Sequence, residues 1–263
     1  MDLGLGDKVA LVAAASKGMG KACASGLAAE GVRVVMFSRT ARDIEAAAEE
    51  VRARTGGQAV GVAADVSRAE DVQGVVARAV ETFGPVDILV ANAGGPPPGP
   101  FEAMSDDHWK AAFEQVHLST VRLIREVLPT MRRRRWGRIL TIQSSSVKQP
   151  VEGLVLSNGV RPAVAGLFKS LAQQVASDNV TVNLVLPGRI KTDRLLEHQR
   201  GLARAAGRSL EEQLVVNAAD IPAGRVGTPE EFANVVVFLA SERASYVTGI
   251  TIQVDGGLIR SVV

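Results

Sequence analysis

Two stretches of this chain place glycines and polar side chains at spacings that suit chemistry. The first, AAASKGMGKACASGLAAEG (13–31), joins a short apolar run to an alanine-rich segment. A strand-to-helix turn of this kind leaves backbone N–H groups free for a phosphate, and Gly18 and Gly20 permit close approach. Ser16, Lys17 and Met19 complete that turn. Ser38-Arg39 follow the second apolar run, where the adenosine ribose of a dinucleotide would lie. An acid there would accept from the 2′-hydroxyl, whereas Arg39 with Lys17 beside it suits a 2′-phosphate. The pair therefore favours NADP(H) over NAD(H); two solvated surface cations are the bland alternative. The second stretch, LVLSNGVRPAV (154–164), sets Ser157 and Arg161 four residues apart. Locally it also reads as a helix start. Serine is a favoured N-cap, Gly159 is poor helix interior, and Pro162 is tolerated in a first turn.

The elements that must position these residues follow from hydrophobic patterning. Short β-branched apolar runs fall at 9–14, 33–38, 59–65, 88–93, 138–143, 180–186 and 251–255. Amphipathic, helix-like segments lie between them near 18–30, 41–54, 68–83, 106–131, 158–177 and 229–241. Strands apolar at nearly every position are buried on both faces, as in a parallel sheet covered by helices. Strict alternation of strand and helix predicts an α/β fold, a Rossmann-type doubly wound parallel sheet. No linker or repeat divides residues 1–263, which predicts a single domain. The segment 189–228 breaks the rhythm and reads as a small helical excursion, placed as a substrate lid would be.

Bulk properties narrow the partners. Apolar residues make up 46% of the 263, enough for a sizeable core, and 22% are charged. A net charge of +2 is too small to argue for nucleic acid or an anionic membrane. The single cysteine, Cys23, excludes an internal disulfide, and His108 and His198 have no companions at metal spacing, so no metal is expected. No stretch reaches the roughly 18 apolar residues of a membrane span. MDLGLGDKVALV carries neither a basic n-region nor a cleavage site, which predicts a cytoplasmic protein. RRRRWGR (132–138) reads as the cationic end of a helix, with attraction of an acidic carrier protein as the alternative. Met131 and Trp136 read as packing residues.

Seven pieces in order carry a resemblance over nearly the whole chain: AAASKGMG (13–20), AADV (63–66), ANAG (91–94), RILTIQS (138–144), VNLVLPGRIKT (182–192), RVGTPEEFANVVVFLASERASYVTG (225–249) and VDGG (254–257). The chain resembles the short-chain dehydrogenase/reductase family, in particular its 3-oxoacyl-[acyl-carrier-protein] reductase-like branch. The resemblance implies hydride transfer between a nicotinamide and a small-molecule carbonyl or alcohol substrate, in a homotetramer. It also implies that Asp65 and Val66 border the adenine. Asn92, Ala93 and Gly94 would support the ribose, and Pro187, Gly188, Ile190 and Thr192 the nicotinamide amide and diphosphate. One departure lies in the first turn. The family opens it with Thr-Gly, and Ala13-Ala14 stands here. Alanine lacks glycine's freedom at positive φ, so the turn is expected to differ slightly.

The larger departure is catalytic. The family carries a serine after the fifth strand, a tyrosine thirteen residues on, a lysine four further, and an asparagine on the preceding helix. Ser144 matches the serine by context; the next two positions hold Ser157 and Arg161, and Val116, beside His117, falls at the asparagine. The sole tyrosine, Tyr246, is far along the chain. Tyrosine donates a proton because its pKa of about 10 is lowered by a nearby ammonium. A serine hydroxyl is a poorer acid and shorter by a phenyl ring. Arg161 keeps a positive charge that can grip a ribose hydroxyl or a carboxylate, yet cannot relay a proton as lysine does. With Ser144 polarising the substrate oxygen, the proton would come from Lys148, His117 or water. Alternatively, the protein binds NADP(H) without turnover, as a sensor or scaffold.

Overall fold

The computed structural model describes residues 1–262. Each apolar run is a strand: β1 (Val9–Ala13), β2 (Arg33–Ser38), β3 (Ala59–Ala63), β4 (Ile88–Ala91), β5 (Gly137–Ile142), β6 (Val180–Pro187) and β7 (Thr251–Val254). They form one seven-stranded sheet in the order β3-β2-β1-β4-β5-β6-β7, with every pairing parallel. This is the Rossmann-type α/β sheet expected from the alternation. Side-chain alternation sorts the core into two layers. Ala10, Val12, Val34, Met36, Ile88 and Val90 face one side, and Leu11, Val35, Phe37, Leu89 and Ile139 the other. The central strands β1 and β4 are wholly buried, and the edge strands β3 and β7 are only partly so.

Helices α1 (Gly18–Ala29), α2 (Ala41–Thr55) and α3 (Ala69–Phe83) follow the first three strands. The expected helix 106–131 is two, α4 (Asp106–Phe113) and α5 (Ser119–Arg134), joined by a π-helical turn over Glu114–Leu118. A π-turn inserts a residue into the helical ladder and re-aims the side chains around it. Helix α6 (Val155–Val175) begins before Ser157, with Leu154 at its N-cap position. Ser157 is therefore no N-cap, and Pro162 lies inside the helix rather than in its first turn. Asn158 sets the start: its side chain makes both a 3.0 Å and a 2.9 Å bond to the backbone of Val151. Residues 189–228 contain α7 (Asp193–Ala205) and α8 (Leu210–Ala218), which share a buried Gln213–Gln199 hydrogen bond of 3.2 Å. Helix α9 (Pro229–Ala240) follows, opened by a Thr228–Glu231 capping box.

The arginine run at the end of α5 is anchored by the fold. Arg132 pairs with Asp178 at 2.6 Å, Arg134 with Asp87 at 2.8 Å, and Arg138 is fully buried. Trp136 lies between the cations of Lys8 and Arg138, 3.9 and 4.3 Å from the ring centroid, while its Nε1 donates to Glu242. These contacts use the charges as internal pins.

The turn after β1 is left-handed at a residue with a side chain: Ala14 has φ +48°. Alanine accepts the strained conformation here. Ala15 N–H donates to Phe37 carbonyl at 3.1 Å, and a Cβ on Gly20 would stand 2.5 Å from the Ala14 carbonyl oxygen. The sheet and α1 hold Ala14 in place from both sides. A left-handed alanine costs about 1–2 kcal/mol, part of which glycine would forfeit again through unfolded-state entropy. Ala14→Gly should raise the urea midpoint at unchanged m-value, a net gain of about 0.5–1 kcal/mol.

Candidate active site

Parallel strands deliver their carboxyl ends, and the loops after them, to one edge of the sheet. There a cleft of ≈ 710 Å³ is lined by Ser16, Lys17, Gly18, Met19 and Gly20 after β1 and by Ser38 and Arg39 after β2. Asp65 and Val66 after β3, Asn92, Ala93 and Gly94 after β4, and Thr192 line it too, as do the acids Asp43, Glu114 and Asp193. Seven expected residues do not line it: Ser144, Lys148, Ser157 and Arg161 of the catalytic set, and Pro187, Gly188 and Ile190. Pro187 is paired with Val254 in the sheet, Gly188 packs against Asp255, and Ile190 is buried and bridged to Gly227.

The cleft fits a dinucleotide on several counts. Gly20 has no room for a Cβ, so backbone alone forms the floor. Helix α1 begins without a side-chain cap or an acid in its first turn, which leaves its N-terminal donors for an anion. The hydroxyl of Ser38 is buried with no partner. Lys21 pairs with Glu50 at 2.6 Å and Arg54 with Glu230 at 3.6 Å, whereas among the described residues Lys17 and Arg39 form no ion pair. Asp65 accepts from the backbone and hydroxyl of Ser67 at 2.9 and 2.8 Å. Burial acts to raise its pKa, but these bonds and the charges of Arg39 and Arg68 leave it below the usual carboxylate range.

Ser157 and Arg161 are brought together inside the protein, 6% and 7% exposed. Arg161 Nε donates to Ser157 Oγ at 3.1 Å, and Nη1 donates to Gln143 Oε1 at 2.9 Å. Gln143 is oriented in turn by its own donation to Thr141 Oγ1 at 2.8 Å. The hydroxyl against Ser157 belongs to Ser146, 3.1 Å away. Ser144 instead caps the short turn 145–147, accepting from Ser146 N–H at 3.2 Å. Ser146 and Gln143 were not selected by motif spacing; the run of three serines is the signal that could have suggested Ser146. Burial lowers the Arg161 pKa, and the charge of Arg194 lowers it further, to about 10. It therefore remains a cation at neutral pH. Lys148 is half-buried on the loop after β5 and forms no ion pair among the described residues.

Val116, expected at the asparagine position, lies in the core at 1% exposure. His117 next to it stacks on Phe113, ring centroids 4.8 Å apart, and its Nδ1 is buried without a partner. His108 closes a capping box with Ser105 at the start of α4. Among the described residues no helix is long and apolar enough to cross a membrane.

The family described as Enoyl-(Acyl carrier protein) reductase matches residues 13–259. The 3-oxoacyl-[acyl-carrier-protein] reductase FabG of Vibrio cholerae is 36% identical over 256 residues, 97% of this chain and 99% of that one. The uncharacterized oxidoreductase YvrD of Bacillus subtilis is 34% identical over 265 residues, 99% of this chain and 100% of that one. L-sorbose reductase from Gluconobacter frateurii, solved with NADPH and L-sorbose, superposes with a TM-score of 0.96 at 35% identity, covering 100% of both chains. The chain belongs to the short-chain dehydrogenase/reductase family of NAD(P)-dependent oxidoreductases.

Burial lowers the His117 pKa below its ordinary 6.5. The unfolded chain thus takes up this proton at a higher pH than the native one, and His117 withdraws stability as pH falls from 6.5 through the folded value. His117→Gln should flatten the stability profile between about pH 7 and 5. Urea midpoints measured across that window for both proteins check this; parallel profiles would refute it.

Proposed function

We propose that the protein is an atypical NADP(H)-dependent carbonyl/alcohol oxidoreductase, 3-oxoacyl-[acyl-carrier-protein] reductase-like, with an altered pair for handling the proton. The observation that carries this reading is the single cleft lined by the glycine turn, the unpaired Lys17 and Arg39, and the Asn92–Gly94 loop. Gly18, Gly20 and the free N–H groups of α1 would hold the diphosphate, Arg39 and Lys17 the 2′-phosphate. Asp65 and Val66 would border the adenine, and Arg161 the nicotinamide ribose. When bound, the cofactor supplies or accepts the hydride.

The chain's own residues then manage the oxygen and its proton. Ser157 Oγ–H donates to the substrate oxygen. The Arg161 Nε–H bond onto that same hydroxyl draws electron density from it and strengthens it as a donor. Ser146, 3.1 Å from Ser157, offers the path by which the hydroxyl regains a proton. Ser144 and Lys148 stand on the loop beside it, Lys148 as the source of that proton. The helical excursion 189–228 would cover the substrate as a lid. The family resemblance implies a homotetramer. The burial of Ser157 favours a second reading, a catalytically inactive NADP(H)-binding sensor or scaffold.

Fluorescence titration should show tighter binding of NADPH than of NADH, and Arg39→Ala should weaken NADPH by roughly 10- to 100-fold while sparing NADH. Equal affinities in the unaltered protein would remove the argument from Arg39 and Lys17.

Turnover separates the two readings. NADPH consumption over a carbonyl panel should be measurable, and Ser157→Ala should lower kcat by about 10²-fold or more at unchanged NADPH affinity. Retained activity in Ser157→Ala with loss in Lys148→Ala would move the donor role to Lys148. Absence of turnover across the panel would select the binding-only reading.

A further inference from the structure

Three cations line the nucleotide cleft, Lys17, Arg39 and Arg194, against four acids, Asp43, Asp65, Glu114 and Asp193. Among the described residues Glu114 is the one acid of the four in an ion pair, with Arg122. A dinucleotide brings further negative charge on its diphosphate, so each cation on the wall counts. Lys17 and Arg39 stand where the 2′-phosphate would lie, which leaves Arg194. It forms no ion pair among the described residues, whereas Arg189 at the root of the same excursion meets Asp220.

Arg194 spans the gap between the loops after β1 and β4. Its helix, α7, starts on the glycine turn: Cγ2 of Thr192, the N-cap, is 3.3 Å from where a Cβ on Gly18 would stand. The far end of the side chain lies against the loop after β4. Nη1 and Nη2 are 2.7 and 3.1 Å from where a Cβ on Gly95 would stand, so the missing side chain makes room for the guanidinium. The root of α7 is fixed. Lys191 N–H donates to the Gly227 carbonyl at 2.8 Å, and Gly227 N–H to the Arg189 carbonyl at 3.0 Å. A dinucleotide lies across such a gap with its diphosphate at the start of the first helix. The N–H groups of α1 meet one side of that diphosphate, and a guanidinium fork matches the phosphate oxygens that remain. Resting on the reading of the cleft as a dinucleotide site, we infer that Arg194 grips the cofactor's diphosphate and fastens the first turn of α7 to it. Gly95 is the vacancy that sets the guanidinium's place. Because NADPH and NADH share the diphosphate, Arg194 serves both, unlike Arg39.

Calorimetric titration of the full chain with four nucleotides tests this. NADPH, NADH and 2′-phospho-ADP-ribose carry the diphosphate; adenosine 2′-monophosphate does not. Arg194→Gln should weaken the first three by roughly tenfold each and leave adenosine 2′-monophosphate unchanged. Arg200→Gln, farther along α7, should leave all four unchanged. A second variant acts on the same contact without touching the arginine itself. The three nearest atoms that a Cβ on Gly95 would meet all belong to the Arg194 guanidinium, a flexible end that can give way. Gly95→Ala should therefore fold normally, weaken NADPH several-fold in the unaltered background, and add nothing to Arg194→Gln. Indifference of NADPH to Arg194→Gln, an equal loss with adenosine 2′-monophosphate, or additive losses in the double variant would each overturn the inference. A chain that binds none of the four would sink the dinucleotide reading along with it.

Discussion

The crevice exists because β1 is hydrogen-bonded to two strands that the chain reaches in opposite directions. Leu11 is in register with Val35 of β2 on one side and with Leu89 of β4 on the other. The loops after β1 and β4 therefore leave toward opposite faces and open a gap between them. Asp87 fixes this arrangement at the far ends of the strands. Its backbone N–H donates to Val9 carbonyl at 2.8 Å, its carboxylate accepts from Val9 N–H at 2.9 Å, and its carbonyl accepts from Arg138 N–H at 3.0 Å. Three parallel strands thus start in step. The glycine turn, the Asn92 loop and Gln143 consequently emerge together at the other edge.

Most of this architecture was legible because the strands are apolar on both faces and the helices keep their period. Both signals are local and need no knowledge of tertiary partners. The nucleotide cleft was legible for the same reason, since Gly18, Arg39, Asp65 and Asn92 each follow a strand directly. What was not legible depends on contacts remote in sequence. Ala14 takes a glycine's backbone because Phe37 and Gly20 hold it there, which no propensity foretells. The π-turn at Glu114–Leu118 has no composition of its own. Pro187 ends β6 and Gly188 and Ile190 follow it, yet sheet pairing and close packing engage all three outside the cleft lining.

The site shows the same division. Spacing singled out Ser157 and Arg161, which the fold brings together, but could not say which serine they meet. Ser144 and Ser146 differ only in where a short turn points them: the first caps the turn and the second faces α6. Nor could spacing reveal that Arg161 would be neutralised by nothing. That fact requires knowing every side chain around it.

Ser157 and Arg161 form one unit. Ser157 is smaller by a phenyl ring than the tyrosine the family resemblance implies there, and an unfilled volume of that size in a buried position would be costly. Arginine is longer than lysine and carries donors along its side, so it can turn back upon the shortened partner. Nε–H then reaches Ser157 while the guanidinium end meets Gln143. Trp109 of α4 packs against the same turn of α6, where a Cβ on Gly159 would come within 2.6 Å of its ring. Lysine at 161 would have no N–H along its side to offer Ser157. Ser157 and Arg161 therefore hold one another, the hydroxyl kept by Nε–H while the guanidinium end is kept by Gln143.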